Sequence, residues 1–136
     1  MYKRILVSPL KSNRSFFLFG PRGVGKTSWV KNNVKNSIYI DLLDTQMYFK
    51  LQANPNKLEK LIPKDFKDWI IIDEVQKVPL LLNEVHRLIE NHKYKFILTG
   101  SSARSLRKKG VNLLAGRAYY YKMHPLTTLE LKNDFN

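Results

Sequence analysis

The sequence predicts an α/β fold organised around a parallel sheet, and three observations carry that prediction. The short apolar runs Phe16–Phe19 and Trp69–Ile72, and Lys95–Leu98 with its one leading lysine, have the length and composition of buried strands. Stretches of helical periodicity separate them, the clearest being Leu81, Leu82, Val85, Leu88 and Ile89 after Pro79. Between the first run and the helix expected over Thr27–Val34 lies the glycine-rich segment Gly20-Pro21-Arg22-Gly23-Val24-Gly25-Lys26-Thr27. Strands alternating with helices are the pattern of βαβ units.

Phe16–Phe19 is apolar throughout, aromatic at all but Leu18, and stops at Gly20, as a buried strand feeding a tight turn would. Ser37–Leu42 alternates and predicts a second strand. Asp44–Leu51 and Asn56–Ile62 predict helices interrupted at Asn54-Pro55. Trp69–Ile72 is the strongest strand signal, and the helix over 79–92 follows it. Lys95–Leu98 gives a fourth strand, stopped by Thr99-Gly100-Ser101-Ser102. Further on, Ala103–Lys109 predicts a helix, Ala118–Met123 a fifth strand, and Thr127–Leu131 the start of another helix.

The chain has 136 residues, 43% of them hydrophobic, which suits one domain over 1–136. It has no Cys, so disulfides, thiolate zinc sites and cysteine nucleophiles are excluded. No apolar run approaches the roughly 20 residues of a membrane helix. The stretch behind Met1-Tyr2-Lys3-Arg4 stops at Ser8-Pro9, too short for a signal-peptide core. A cytoplasmic protein without a membrane partner is the expectation. The net charge is +13 and unevenly spread: residues 1–36 carry eight basic and no acidic side chains, and 91–136 nine basic against two acidic. With the run Arg104, Arg107, Lys108, Lys109, the two ends form either a solvated lysine-rich face or a surface that holds nucleic acid non-specifically.

The glycine-rich segment matches G-x-x-x-x-G-K-[ST], placed between a strand and a helix. Its glycines let successive backbone N–H groups point inward, and the helix N-terminus adds partial positive charge, so a polyphosphate is cradled. Gly20, Pro21, Arg22, Gly23, Val24, Gly25 and the following Ser28 form this nucleotide-binding set. Lys26 is assigned to the β- and γ-phosphate oxygens and the Thr27 hydroxyl to Mg²⁺.

The strand Trp69–Ile72 ends in Asp73-Glu74, 47 residues beyond Lys26. Asp73 is the candidate second holder of Mg²⁺ and Glu74 the candidate general base that polarises a water, which points to hydrolysis. Thr99 and Ser101, at the end of the fourth strand, both qualify as the group that senses the γ-phosphate; the sequence does not choose between them. Asn56-Lys57-Leu58-Glu59 has Glu where a guanine-reading motif needs Asp, so ATP is the expected nucleotide.

Together, Phe17–Thr27, Ile72-Asp73-Glu74-Val75-Gln76-Lys77-Val78-Pro79, Leu98–Ser102, Leu114-Ala115-Gly116-Arg117 and Pro125–Leu131 resemble the AAA-type P-loop ATPases of bacteria and archaea whose nucleotide-binding core precedes a C-terminal domain of unknown function. The resemblance implies a three-layer P-loop NTPase core with a five-stranded parallel sheet of order 5-1-4-3-2, flanked by helices. It also implies ATP hydrolysis with Mg²⁺ and a γ-phosphate-sensing or inter-subunit role for Arg117. It places the work in a C-terminal domain, a homo-oligomer or a partner protein, and the chain stops soon after the last expected helix begins. Two other functions share this loop. One is a nucleotide-dependent switch that grips nucleic acid with little hydrolysis; the other is a small-molecule kinase, against which Glu74 beside Asp73 argues.

The remaining polar and aromatic residues read as structure. His86 and His92 fall on the outer side of their helix, His124 precedes Pro125, and none has metal-ligand spacing. Tyr119-Tyr120-Tyr121, Trp29 and Trp69 read as packing, and Gln76, two places after Glu74, as a surface residue sooner than as a group that orients a partner or a water.

Overall fold

The computed structural model describes residues 14–20, 30, 31, 34, 36–101, 119–123 and 129–132. Six strands form one sheet: β1 (Phe16–Phe19), β2 (Ile38–Asp41), β3 (Trp69–Asp73), β4 (Lys95–Gly100), β5 (Tyr119–Met123) and β6 (Leu129–Lys132), in the order β2-β3-β4-β1-β5-β6. The first four pair in parallel, with Ile40 opposite Ile72, Ile72 opposite Leu98, and Phe17 opposite Leu98. Among the described residues, helices with assigned bounds are α1 (Thr45–Ala53), α2 (Lys57–Lys60) and α3 (Leu81–His92).

The expected five-stranded, wholly parallel sheet is corrected. β5 lies parallel beside β1, but a sixth strand closes that side and runs antiparallel, with Tyr121 opposite Leu131. The helix expected to start at Thr127–Leu131 is therefore a strand over Leu129–Lys132. Leu-Glu-Leu-Lys alternates apolar and polar residues with the period of two that a strand needs. The five residues separating it from β5 suit a hairpin connection. Of the helix expected over Thr27–Val34, Val30 and Lys31 are described and helical. The helix expected over Ala103–Lys109 lies outside the described residues, as do Trp29 and His124.

β1, β3 and β4 are buried on both faces, which is why their sequences are apolar at consecutive positions instead of alternating. On one face Phe17, Phe19, Ile70, Ile72, Phe96 and Leu98 pack with Leu51 of α1, Leu58 of α2 and Leu81, Leu82, Val85 and Leu88 of α3. The α3 residues fall on one stripe of the helix, as their i, i+1, i+4, i+7 spacing requires. On the opposite face Phe16 meets Trp69 edge-on, 5.5 Å between ring centroids, and Lys95 Nζ lies 4.9 Å from the Trp69 ring centre. Val30 and Val34 are buried as well.

Asp44 caps α1, its carboxylate accepting the Gln46 N–H at 3.0 Å. The α2–α3 contact is braced by Arg87, which donates to Glu59 at 2.8 Å and to Glu84 at 2.7 Å. The Arg87 guanidinium holds the exposed Glu59 carboxyl below its ordinary value, with His92 adding to the effect. That contribution is present above the ordinary carboxylate range and is lost as pH falls through the lowered value. Phe96 is fully buried at the centre of the larger cluster. Phe96→Ala is expected to cost about 3–5 kcal/mol, read as a fall in the urea midpoint, because the cavity cannot collapse between sheet and α3. An unchanged midpoint would contradict this placement of the core.

Candidate functional site

The site lies at the C-terminal ends of the parallel strands, where β3, β4 and β1 stop in that order across the sheet. β1 ends at Phe19, opposite Gly100 of β4, and the Gly20 N–H donates to the Gly100 carbonyl at 3.1 Å. Gly20 opens the glycine-rich segment, so that segment departs from the sheet two strands away from Asp73. At the usual strand spacing this is about 10 Å, a distance that a phosphate group and a hydrated cation can bridge. Pro21, Arg22, Gly23, Val24, Gly25, Lys26, Thr27 and Ser28 lie outside the described residues, and so does Arg117.

Asp73 closes β3 and is 3% exposed. Strand parity puts its side chain on the same face as Thr99, Tyr39 and Leu18, away from α1–α3. The Thr99 hydroxyl donates to Asp73 Oδ1 and the Tyr39 hydroxyl to Oδ2, so both carboxylate oxygens are engaged and the group has a fixed orientation. Behind this pair, Lys31 Nζ stands 4.9 Å from the Tyr39 ring centre. The end of β2 is tied to the same place, since the Leu42 N–H donates to the Asp73 carbonyl at 3.2 Å.

Glu74 follows in the left-handed region, with φ 63° and ψ 51°, and is 6% exposed. For a residue other than glycine this conformation costs about 1–2 kcal/mol, and it is the kind of strain that functional sites retain. Two hydrogen bonds hold it there: the Glu74 N–H donates to Thr99 Oγ1 at 2.9 Å and its carbonyl accepts the Lys77 N–H at 3.0 Å. Its side chain is held too, Gln76 Nε2 donating to Oε1 at 2.6 Å.

The structure separates the two hydroxyls that the sequence leaves equivalent. Thr99 is 1% exposed and its hydroxyl serves both acids, accepting from the Glu74 backbone and donating to the Asp73 carboxylate. Ser101 follows the end of β4 and is exposed. Tyr39 is missed by the sequence reading, and Gln76, weighed there as a group that orients a partner or a water, is set down as a surface residue. A tyrosine in an alternating strand carries no sign of which carboxylate it meets, and a glutamine two places after an acid reads as solvated. Position gave the one available signal: Asp41 and Asp73 stand opposite each other, so Tyr39 shares a face with the site acid.

Among the described residues no group of three or more His, Cys, Asp or Glu is placed to hold a metal ion. The oxygen set still fits Mg²⁺, a hard cation that keeps much of its water and takes one or two carboxylates besides phosphate oxygens. An oriented, buried carboxylate at a strand end supplies that kind of donor. No helix among the described residues is long and apolar enough to cross a membrane.

No curated protein matches this chain. A family described as the AAA domain matches residues 12–132, a span that takes in the glycine-rich segment, the acid pair and the ends of all six strands. With a parallel α/β sheet bearing a buried acid pair two strands from the one that the segment leaves, the chain belongs to the AAA domain family and carries an AAA-type P-loop ATPase-like, nucleotide-binding domain.

Proposed function

We propose that this protein binds ATP with Mg²⁺ at the C-terminal edge of its sheet and hydrolyses the β–γ phosphoanhydride, passing the change of nucleotide state to a further domain, a second copy or a partner protein. The observation that carries the reading is the paired fixation of Asp73 and Glu74 by one hydroxyl, that of Thr99, next to the strand that leads into the glycine-rich segment.

In this reading the backbone N–H groups of Arg22, Gly23, Val24 and Gly25 surround the phosphates, with Gly20 and Pro21 leading in from β1 and Ser28 behind them. Lys26 neutralises the β- and γ-phosphate oxygens. Thr27 and Asp73 hold Mg²⁺, which when bound supplies charge neutralisation on the same oxygens. Glu74 accepts a proton from water as the water oxygen forms its bond to the γ-phosphorus and the bond to the bridging oxygen of ADP breaks. Ser101, exposed beyond β4, is the better sensor of the γ-phosphate, because the Thr99 hydroxyl already serves both acids. Arg117 completes the charge stabilisation, from the same chain or from a neighbour.

Phosphate release from ATP, followed with Mg²⁺ and with excess chelator, tests this. Release is expected with the metal and at least about 100-fold less without it. Release unaffected by the chelator would contradict the roles given to Thr27 and Asp73.

A further inference from the structure

We propose that Gln76 is the positioning residue of Glu74: its side-chain amide fixes one carboxylate oxygen so that the other faces the attacking water. The inference rests on Glu74 being the general base. Gln76 Nε2 donates to Glu74 Oε1 across 2.6 Å, a close contact. None of the described residues donates to Oε2.

The local backbone explains how two residues so close in sequence come to face each other. Glu74 is left-handed, so the chain reverses there and enters a short 3-10 turn over Val75–Lys77, which carries Gln76 back over the carboxylate. On an ordinary helix side chains two apart point away from each other, and on an extended strand they share a face but stand about 7 Å apart. Gln76 is half-buried, and its other amide atom is lodged against β4: a Cβ added at Gly100 would stand 2.9 Å from Gln76 Oε1. Gly100 is the residue whose carbonyl receives the Gly20 N–H. The amide thus sits between the base and the strand contact from which the glycine-rich segment starts. Holding a glutamine in this way forfeits much of its rotamer freedom, a loss with no return on a solvated surface.

Three variants of the full chain test the proposal: Gln76→Ala, Gln76→Glu and Gly100→Ala, the last displacing the amide without removing it. Gln76→Ala is expected to lower kcat about tenfold and leave the ATP Kd, measured by calorimetry, within about twofold. Gln76→Glu, which sets a like charge beside the base, is expected to lower it further, and Gly100→Ala in the same direction. In a Glu74→Gln background, adding Gln76→Ala is expected to change the residual rate less than twofold, since a positioning residue acts only through its partner. An equal loss in both backgrounds, or an unchanged kcat in Gln76→Ala, would overturn the proposal. A second readout needs no turnover. The Gln76 side-chain amide resonances of the nucleotide-free protein, identified by their loss in Gln76→Ala, are expected to shift on Glu74→Gln, and coincident spectra would refute the contact. If the wild type releases no phosphate, the hydrolysis reading fails while the amide spectra still decide the Gln76–Glu74 contact.

Discussion

Glu74→Gln is expected to lower phosphate release by about 10²- to 10⁴-fold while ATP still binds. The substitution keeps the volume of the side chain and removes its capacity to take a proton from water. Glu74 touches the strand framework through its backbone, donating to Thr99 and accepting from Lys77, and those bonds are untouched by the change. The left-handed backbone at this position is equally open to Gln, so no new strain enters. The loss should therefore fall on the chemical step, as a lower single-turnover rate with the ATP Kd preserved. A variant that hydrolyses at the wild-type rate would remove Glu74 from the mechanism and leave the acid pair as a structural feature of the end of β3.

Thr99→Val is expected to damage both stability and turnover. Valine matches threonine in shape, so the packing of β4 survives, but two bonds of one hydroxyl vanish at once. The Glu74 N–H loses its acceptor and the Asp73 carboxylate one of its donors, both in a region almost closed to water. Leaving such groups unsatisfied costs about 2–4 kcal/mol together, read as a lower urea midpoint. Turnover should fall by about tenfold or more, because Asp73 is then oriented by Tyr39 alone of these two donors. Thr99→Ser retains the hydroxyl and should restore most of both. Equal behaviour of Val and Ser would contradict the bridging role of this hydroxyl.

The central sheet was legible because its strands are buried on both faces. Phe16–Phe19 and Trp69–Ile72 are apolar without interruption, and in a chain with intervening helices only a parallel sheet accommodates several such runs. The break between α1 and α2 was equally plain, since Asn54-Pro55 cannot continue a helix. β6 was misread because Leu, Glu and Lys are good helix formers. At four residues, propensity and the period of two disagree, and the pairing partner Tyr119–Met123 decides.

At the site, Asp73 and Glu74 stood out as charges directly after an apolar strand, where burial makes a bland explanation expensive. Thr99 and Ser101 were inseparable by type, and what distinguishes them is strand register, which puts Thr99 beside the acids. Tyr39 escaped, and Gln76 was ranked first as a surface residue, for a related reason. Tyr39 acts across a strand pair 34 residues away from its partner. Gln76 acts through a left-handed turn that Glu74 adopts without a glycine to announce it.

Calorimetric titration of Mg²⁺-ATP into the wild type and into Lys26→Ala, with phosphate release followed in the same samples, tests the central claim most directly. Wild type is expected to bind one nucleotide per chain and release phosphate. The variant is expected to bind about 100-fold more weakly, because the charge-assisted contacts of a lysine to phosphate are lost. Absence of binding in the wild type, or equal binding in the two proteins, would contradict the assignment of Gly20–Ser28 as the nucleotide-binding segment.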